Sequence, residues 1–301
     1  MPTPTTDRAA AERWFVEHGL PYFVDDYRAA VARGLRRSRL LPVLLAALLL
    51  AAVAGAVAGP WLGAAAGLGA ALTAFGVALA AYAVATLRAW LIVGWAVRRT
   101  LRSLGLMLPL VTRALPLLLL FIIFLFINAE VWQVAASLDG GVLWVAVLLF
   151  AAIAVGFLLT RLPEELDSVD DEVRGLERAN LVLVLLVAQA VQVLLLALAV
   201  FAFFIVFGLV AMAPEVVSQW TTHPLHPLDG PLGELFGTRL SLELLRVSTF
   251  LAAFSGLYFT VYAVTDELYR RQFFSSVIHE LERAVRARAA YRLLRGDEEP
   301  G

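Results

Sequence analysis

Residues 40–87 form a run of 48 positions without a single charged side chain, interrupted near the middle by Gly59-Pro60. One crossing of a bilayer's hydrocarbon core needs roughly 20 apolar residues, so the run is too long for one span and fits two. Gly-Pro stops a helix and turns the chain, which predicts a helical hairpin reversing at that dipeptide. Composition agrees. The chain is 61% hydrophobic and 16% charged, whereas soluble domains carry about 25% charge. Packing so many apolar residues in water would leave large exposed patches, and lipid removes that conflict.

Six spans can be placed on the same reasoning: 40–59, 61–87, 114–137, 140–160, 179–214 and 240–265. The third is uncharged except for Glu130. The fifth is longer than one crossing requires, and the sixth carries Glu243 and Arg246 near its start. The predicted fold is all-α, a polytopic membrane helix bundle of six transmembrane helices with N- and C-terminal cytoplasmic amphipathic helices. Residues 1–39 form the N-terminal segment, 40–267 the membrane domain, and 268–301 the C-terminal helix and tail. The first apolar run begins only after a long charged segment, so no cleavable signal peptide is expected.

All 24 basic residues are Arg, and their placement sets orientation. Arg33, Arg36, Arg37 and Arg39 precede the first span. Arg88, Arg98, Arg99, Arg102 and Arg113 follow the second, Arg161, Arg174 and Arg178 follow the fourth, and seven more follow the sixth. The opposite loops hold only Arg239. Cytoplasmic connections are the arginine-rich ones, so both termini are expected in the cytoplasm and the chain in the plasma membrane. Residues 11–36 mix Trp14, Phe15, Tyr22, Phe23 and Tyr27 with charges, a composition suited to the lipid–water boundary. Residues 89–113 read as a continuation of the second helix followed by an elbow at the membrane surface. Residues 268–295 place Phe274, Ile278, Leu281 and Val285 on one helical face.

Several polar positions inside the apolar runs stand out. Glu130 lies seven residues before Ser137, roughly 10 Å from the end of its span, where a carboxylate is costly. It shares a stripe with Gln133, while Asn128 and Trp132 lie on another side. Arg246 enters the sixth span at a matching depth and heads a stripe of Thr249, Ala253, Gly256, Thr260 and Ala263. Asn128, Glu130, Gln133, Arg246 and Thr249 therefore form the candidate intramembrane site, read either as a Glu130–Arg246 ion pair, as a substrate or ion site, or with Arg246 paired to Glu243. Gln189 and Gln192 make a second polar pair at i,i+3 in the inner half of the fifth span. Gly55, Gly59, Gly63 and Gly67 form two G-x-x-x-G strips that allow close helix approach, expected within the hairpin, with a dimer contact as the alternative.

Cysteine is absent, which excludes disulfides and thiolate chemistry. His223 and His226 in a His-Pro-Leu-His-Pro loop lack helical zinc spacing, so no metal is expected. Seven carboxylates between 161 and 178 lack the spacing of a calcium loop, and a solvated helix pairing with arginines is expected there. No phosphate loop, HExxH or GxSxG occurs, so no catalytic residue and no cofactor is assigned. The arginine clusters point to anionic lipid headgroups and not to nucleic acid.

The stretches WFVEHGLPYFVDDYR (14–28) and LPLLLLFIIFLFINAEVWQV (115–134) resemble segments of uncharacterised multi-pass integral membrane proteins of actinobacteria. The resemblance implies a membrane location and no activity. A non-catalytic membrane scaffold or accessory subunit, with a membrane-protein partner or a second copy, is the leading expectation. An ion or small-solute channel or transporter using Glu130 and Arg246 is the alternative, and a membrane-embedded lipid-modifying enzyme a distant third.

Overall fold

The computed structural model describes residues 8–138, 141–167, 173–222, 224–265 and, near the C-terminus, Glu282, Arg283, Val285, Ala287, Arg288 and Tyr291. Among these residues the structure is helical, with one isolated β-bridge between Pro227 and Ser241. Five helical stretches are long and apolar enough to cross a membrane: Arg37–Trp61, Gly67–Thr86, Gly141–Leu162, Leu176–Ala211 and Leu242–Thr265. The chain divides into two compact units. The first holds residues 1–98, 170–184 and 280–301, and the second holds 99–169 and 185–279.

The first unit opens with α1 (Arg8–Glu17), a short 3-10 turn at Pro21–Phe23, and α2 (Asp25–Gly34). Three of the five aromatic residues expected at the lipid–water boundary turn inward. Phe15, Tyr22 and Phe23 are buried, and Phe15 stacks on Phe23 with ring centroids 5.4 Å apart. An aromatic body with a polar tip suits either a lipid interface or a protein core. Here Tyr22 finds a backbone partner, since its hydroxyl donates to the Leu87 carbonyl at 2.6 Å, and packing prevails.

The hairpin consists of α3 (Arg37–Leu62) and α4 (Ala64–Thr86). Its reversal falls at Gly63, not at Gly59-Pro60, and α3 runs through Pro60. Proline's fixed φ fits a helix, whereas the reversal needs a positive φ that proline cannot take. Gly63 supplies it, at φ 89°. The other glycines bring the two backbones together. A Cβ on Gly67 would lie 2.8 Å from the Gly59 Cα and 3.0 Å from the Gly55 carbonyl oxygen. Large side chains point away from this seam, and Leu41, Leu45 and Leu49 are exposed, as a lipid-facing surface requires.

The second helix does not continue into 89–113. It stops at Thr86, Arg88 adopts φ 50°, and α5 (Ala89–Phe126) begins as a new helix without an elbow. The expected third span is likewise interrupted: α5 ends at Phe126, and a separate helix, α6 (Ala129–Ala136), follows.

In the second unit α6 is followed by α7 (Gly141–Asp167), α8 (Leu176–Ala211), α9 (Pro214–Thr221), α10 (Pro231–Phe236) and α11 (Leu242–Thr265). The first turns of α8 belong to the first unit. The core of the second unit gathers Ile122, Phe126, Trp132, Phe204, Val247 and Leu251, with Phe126 stacked on Phe204 at 4.6 Å. Of the expected C-terminal helix, Phe274, Ile278 and Leu281 lie outside the described residues.

Candidate functional site

The break between α5 and α6 is built by Asn128. Its side-chain oxygen accepts the backbone N–H groups of Glu130 at 2.8 Å and Val131 at 3.3 Å. Asparagine is among the residues that best cap a helix start, because a short carbonyl reaches N–H groups that have no helical partner. The break also costs α5 its last hydrogen bonds. The Trp132 indole recovers one, donating to the Phe126 carbonyl at 2.6 Å from a buried position.

This geometry re-assigns Glu130. It sits in the first turn of α6 and is exposed, where its charge complements the positive end of the helix dipole. Arg246 serves the opposite end of the same helix, its Nη1 donating to the Ala136 carbonyl at 2.7 Å. No Glu130–Arg246 ion pair is present among the described residues. An eight-residue helix spans roughly 12 Å, which separates the two charges. Gln133 is exposed on α6. Matching depths in the sequence invited pairing, but the break that puts Glu130 in the first turn of α6 and Arg246 on its last carbonyl was not legible there.

Glu243 does not pair with Arg246 either. It is fully buried, its Oε1 lies 2.7 Å from the His226 ring Nδ1, and its Oε2 accepts the His226 backbone N–H at 3.1 Å. The His-Pro loop is thus tied to the start of α11. His223 lies outside the described residues, and no group of three metal-ligating side chains gathers among those described.

The small-residue stripe on α11 has a clear destination. Thr249, Ala253, Gly256 and Thr260, with facing positions of α7 and α8, line an open, almost wholly apolar groove of about 510 Å³. The Thr249 and Thr260 hydroxyls donate back to the Leu245 and Gly256 carbonyls, which removes their polarity from the groove. Gln189 and Gln192 are buried on α8. Gln192 Oε1 and Ser248 Oγ have no hydrogen-bond partner among the described residues.

Sequence reasoning missed the strongest polar cluster, which lies in the first unit. Glu177, expected on a solvated acidic helix, is buried. Its two oxygens accept from Arg28 Nη1 and Arg288 Nη2, each at 2.5 Å. One turn on, the Asn180 side chain accepts from the Tyr22 backbone N–H at 2.8 Å and donates to the Gly19 carbonyl at 3.1 Å. The Tyr291 hydroxyl donates to Glu12 at 2.8 Å. Burial pushes the Tyr22 hydroxyl up to about 12, and burial together with the Glu12 hydrogen bond and charge does the same for Tyr291. Three distant chain segments are clasped here. The only sequence signal was a carboxylate and an amide beside the start of a long apolar helix.

Comparison with known protein families, curated proteins and solved structures finds no match to this chain.

Proposed function

We propose that this chain is a non-catalytic membrane scaffold or accessory subunit, crossing the plasma membrane six times with both ends in the cytoplasm. The third crossing is the broken pair α5–α6, and the N-terminal helices and the C-terminal segment lie on the cytoplasmic side. The observation that carries the reading is the placement of Glu130 and Arg246 at opposite ends of α6. The transport alternative rests on convergence of these two charges, and each instead serves one helix end. The groove on α7, α8 and α11 supports the same reading. Small residues such as Ala151 and Ala253, not fully buried in the groove lining, let another helix backbone approach closely, so the occupant proposed is a transmembrane helix of the partner subunit.

Photo-crosslinkers placed in full-length protein at Leu194, inside the groove, and at Val210, exposed elsewhere on α8, test this. Crosslinking to a discrete membrane protein from Leu194 only, abolished by Ala253→Phe, is the expected result. A lone monomer with no groove-specific adduct would remove the accessory-subunit reading. Liposome flux in wild type lost on Glu130→Gln and Arg246→Gln would replace it with the transport alternative.

A further inference from the structure

We propose that Arg33, Arg39 and Arg88 form a binding site for the phosphate headgroup of an anionic phospholipid. The three come from the last turn of α2, the first turn of α3 and the α4–α5 junction, and they line one open cavity of about 710 Å³. None of them makes an ion pair with a carboxylate among the described residues. Elsewhere in the same unit arginines do find acids, as Arg28 and Arg288 do on Glu177. Three arginines without a carboxylate partner among the described residues border one space, and the guanidinium fork matches the bidentate geometry of phosphate oxygens.

The walls are fixed before any ligand arrives. The Tyr82 hydroxyl donates to the Gly34 carbonyl at 2.8 Å, and Gly34 packs so tightly on Thr86 that a Cβ there would collide with its methyl group. Tyr22 holds the Leu87 carbonyl beside Arg88. Arg88 itself stands in the left-handed region, at φ 50°, a conformation unusual for a residue other than glycine. It lies 5.3 Å from the Trp90 ring and 6.0 Å from the Tyr27 ring. A non-glycine residue held in this region recurs where a side chain must be aimed.

A lipid, and not a free phosphate, fits the rest of the cavity. Pro42, Val43 and Ala85 supply its apolar wall at the mouth of the α3–α4 hairpin. From there the exposed Leu41, Leu45 and Leu48 lead along α3, a path for acyl chains. The proposal rests on the hairpin spanning the membrane, and is independent of the partner-helix groove.

Full-length protein in mild detergent is titrated with phosphatidylglycerol, phosphatidylcholine or inorganic phosphate, and bound lipid is read by native mass spectrometry. Wild type should bind phosphatidylglycerol at least tenfold more tightly than phosphatidylcholine, with inorganic phosphate a weak competitor. Arg33→Gln/Arg39→Gln/Arg88→Gln should lose that preference, while Arg36→Gln/Arg37→Gln, which removes neighbouring charge outside the cavity, should keep most of it. Ala85→Asp, which leaves all three arginines and offers them a carboxylate, should behave like the triple variant with wild-type thermal stability. Equal loss in the Arg36/Arg37 variant would overturn the site in favour of diffuse attraction. Full competition by inorganic phosphate would overturn the lipid as its ligand. Failure of wild type to partition into vesicles of either lipid would instead refute the membrane-spanning hairpin.

Discussion

Replacing Glu177 by Gln tests whether the clasp in the first unit holds it together. The carboxylate is buried between two guanidiniums at 2.5 Å each, and the side chains of Glu177 and Arg288 are both 7% exposed. Removing one partner of a buried pair costs about 3–5 kcal/mol, because the remaining charge is left buried without compensation. Arg288 would be that charge, and its Nε already lacks a partner among the described residues. Arg28 differs: it is about a third exposed and also contacts Asp25, so Arg28→Gln should cost only about 1 kcal/mol. The expected order of destabilisation is Glu177→Gln, then Arg288→Gln, then Arg28→Gln. At the ~2–4 °C per kcal/mol found for larger domains, Glu177→Gln should lower the melting temperature by about 6–12 °C or more. The assay is thermal unfolding in detergent, with the Glu177→Gln/Arg288→Gln double variant closing the cycle. Because that variant removes both buried charges of the pair, its loss should be smaller than the two single losses added. A Glu177→Gln melting temperature within about 1 °C of wild type, or strictly additive losses, would refute the reasoning, since both mean that Glu177 is solvated in practice.

Three further outcomes follow from the same geometry. Gly67→Leu should splay the hairpin, because a Cβ there meets backbone atoms of Gly59 and Gly55 that cannot rotate away; overpacking of this kind costs about 1–3 kcal/mol, whereas Gly69→Ala, facing open space, should melt like wild type. Asn128→Ala should cost about 1 kcal/mol by removing the α6 cap, and hydrogen exchange should accelerate at Glu130 and Val131; unchanged exchange would show that the cap is dispensable. High pH should unfold the first unit early. The unfolded-state tyrosine value is 10.0 and the folded values for Tyr22 and Tyr291 are about 12, so folding holds their protons more tightly. Their contribution is therefore complete below pH 10 and is lost as pH rises through 12. Ultraviolet titration should show two tyrosines ionising late, and their ionisation at about 10 in the intact protein would contradict the burial.

What could be read from the sequence was set by physics acting along the chain. Long uncharged runs need no partner to declare themselves, so five helices long and apolar enough to cross a bilayer were visible as runs. Turn chemistry was legible to within a few residues: Pro60 drew attention, but φ decided in favour of Gly63. Asn128 was harder, because an amide within an apolar stretch reads equally as a polar stripe or as a cap, and only the hydrogen bonds to Glu130 and Val131 tell them apart. The clasp was out of reach. Seven carboxylates crowd one connection, and nothing local distinguishes the one that Arg28 and Arg288 enclose.

That enclosure also orders events in time. Residues 28, 177 and 288 meet at one carboxylate, so its second guanidinium does not exist until a ribosome has moved well past Glu177 and the long helix that follows it. A nascent chain can bring Arg28 to Glu177 early, yet must hold a carboxylate with one oxygen still waiting for its arginine, next to a long greasy helix, until Arg288 has been made. Local contacts form first because closing long loops is entropically slow. Arg288 thus works as a latch, and a product truncated before it would be left open where the longer chain is shut.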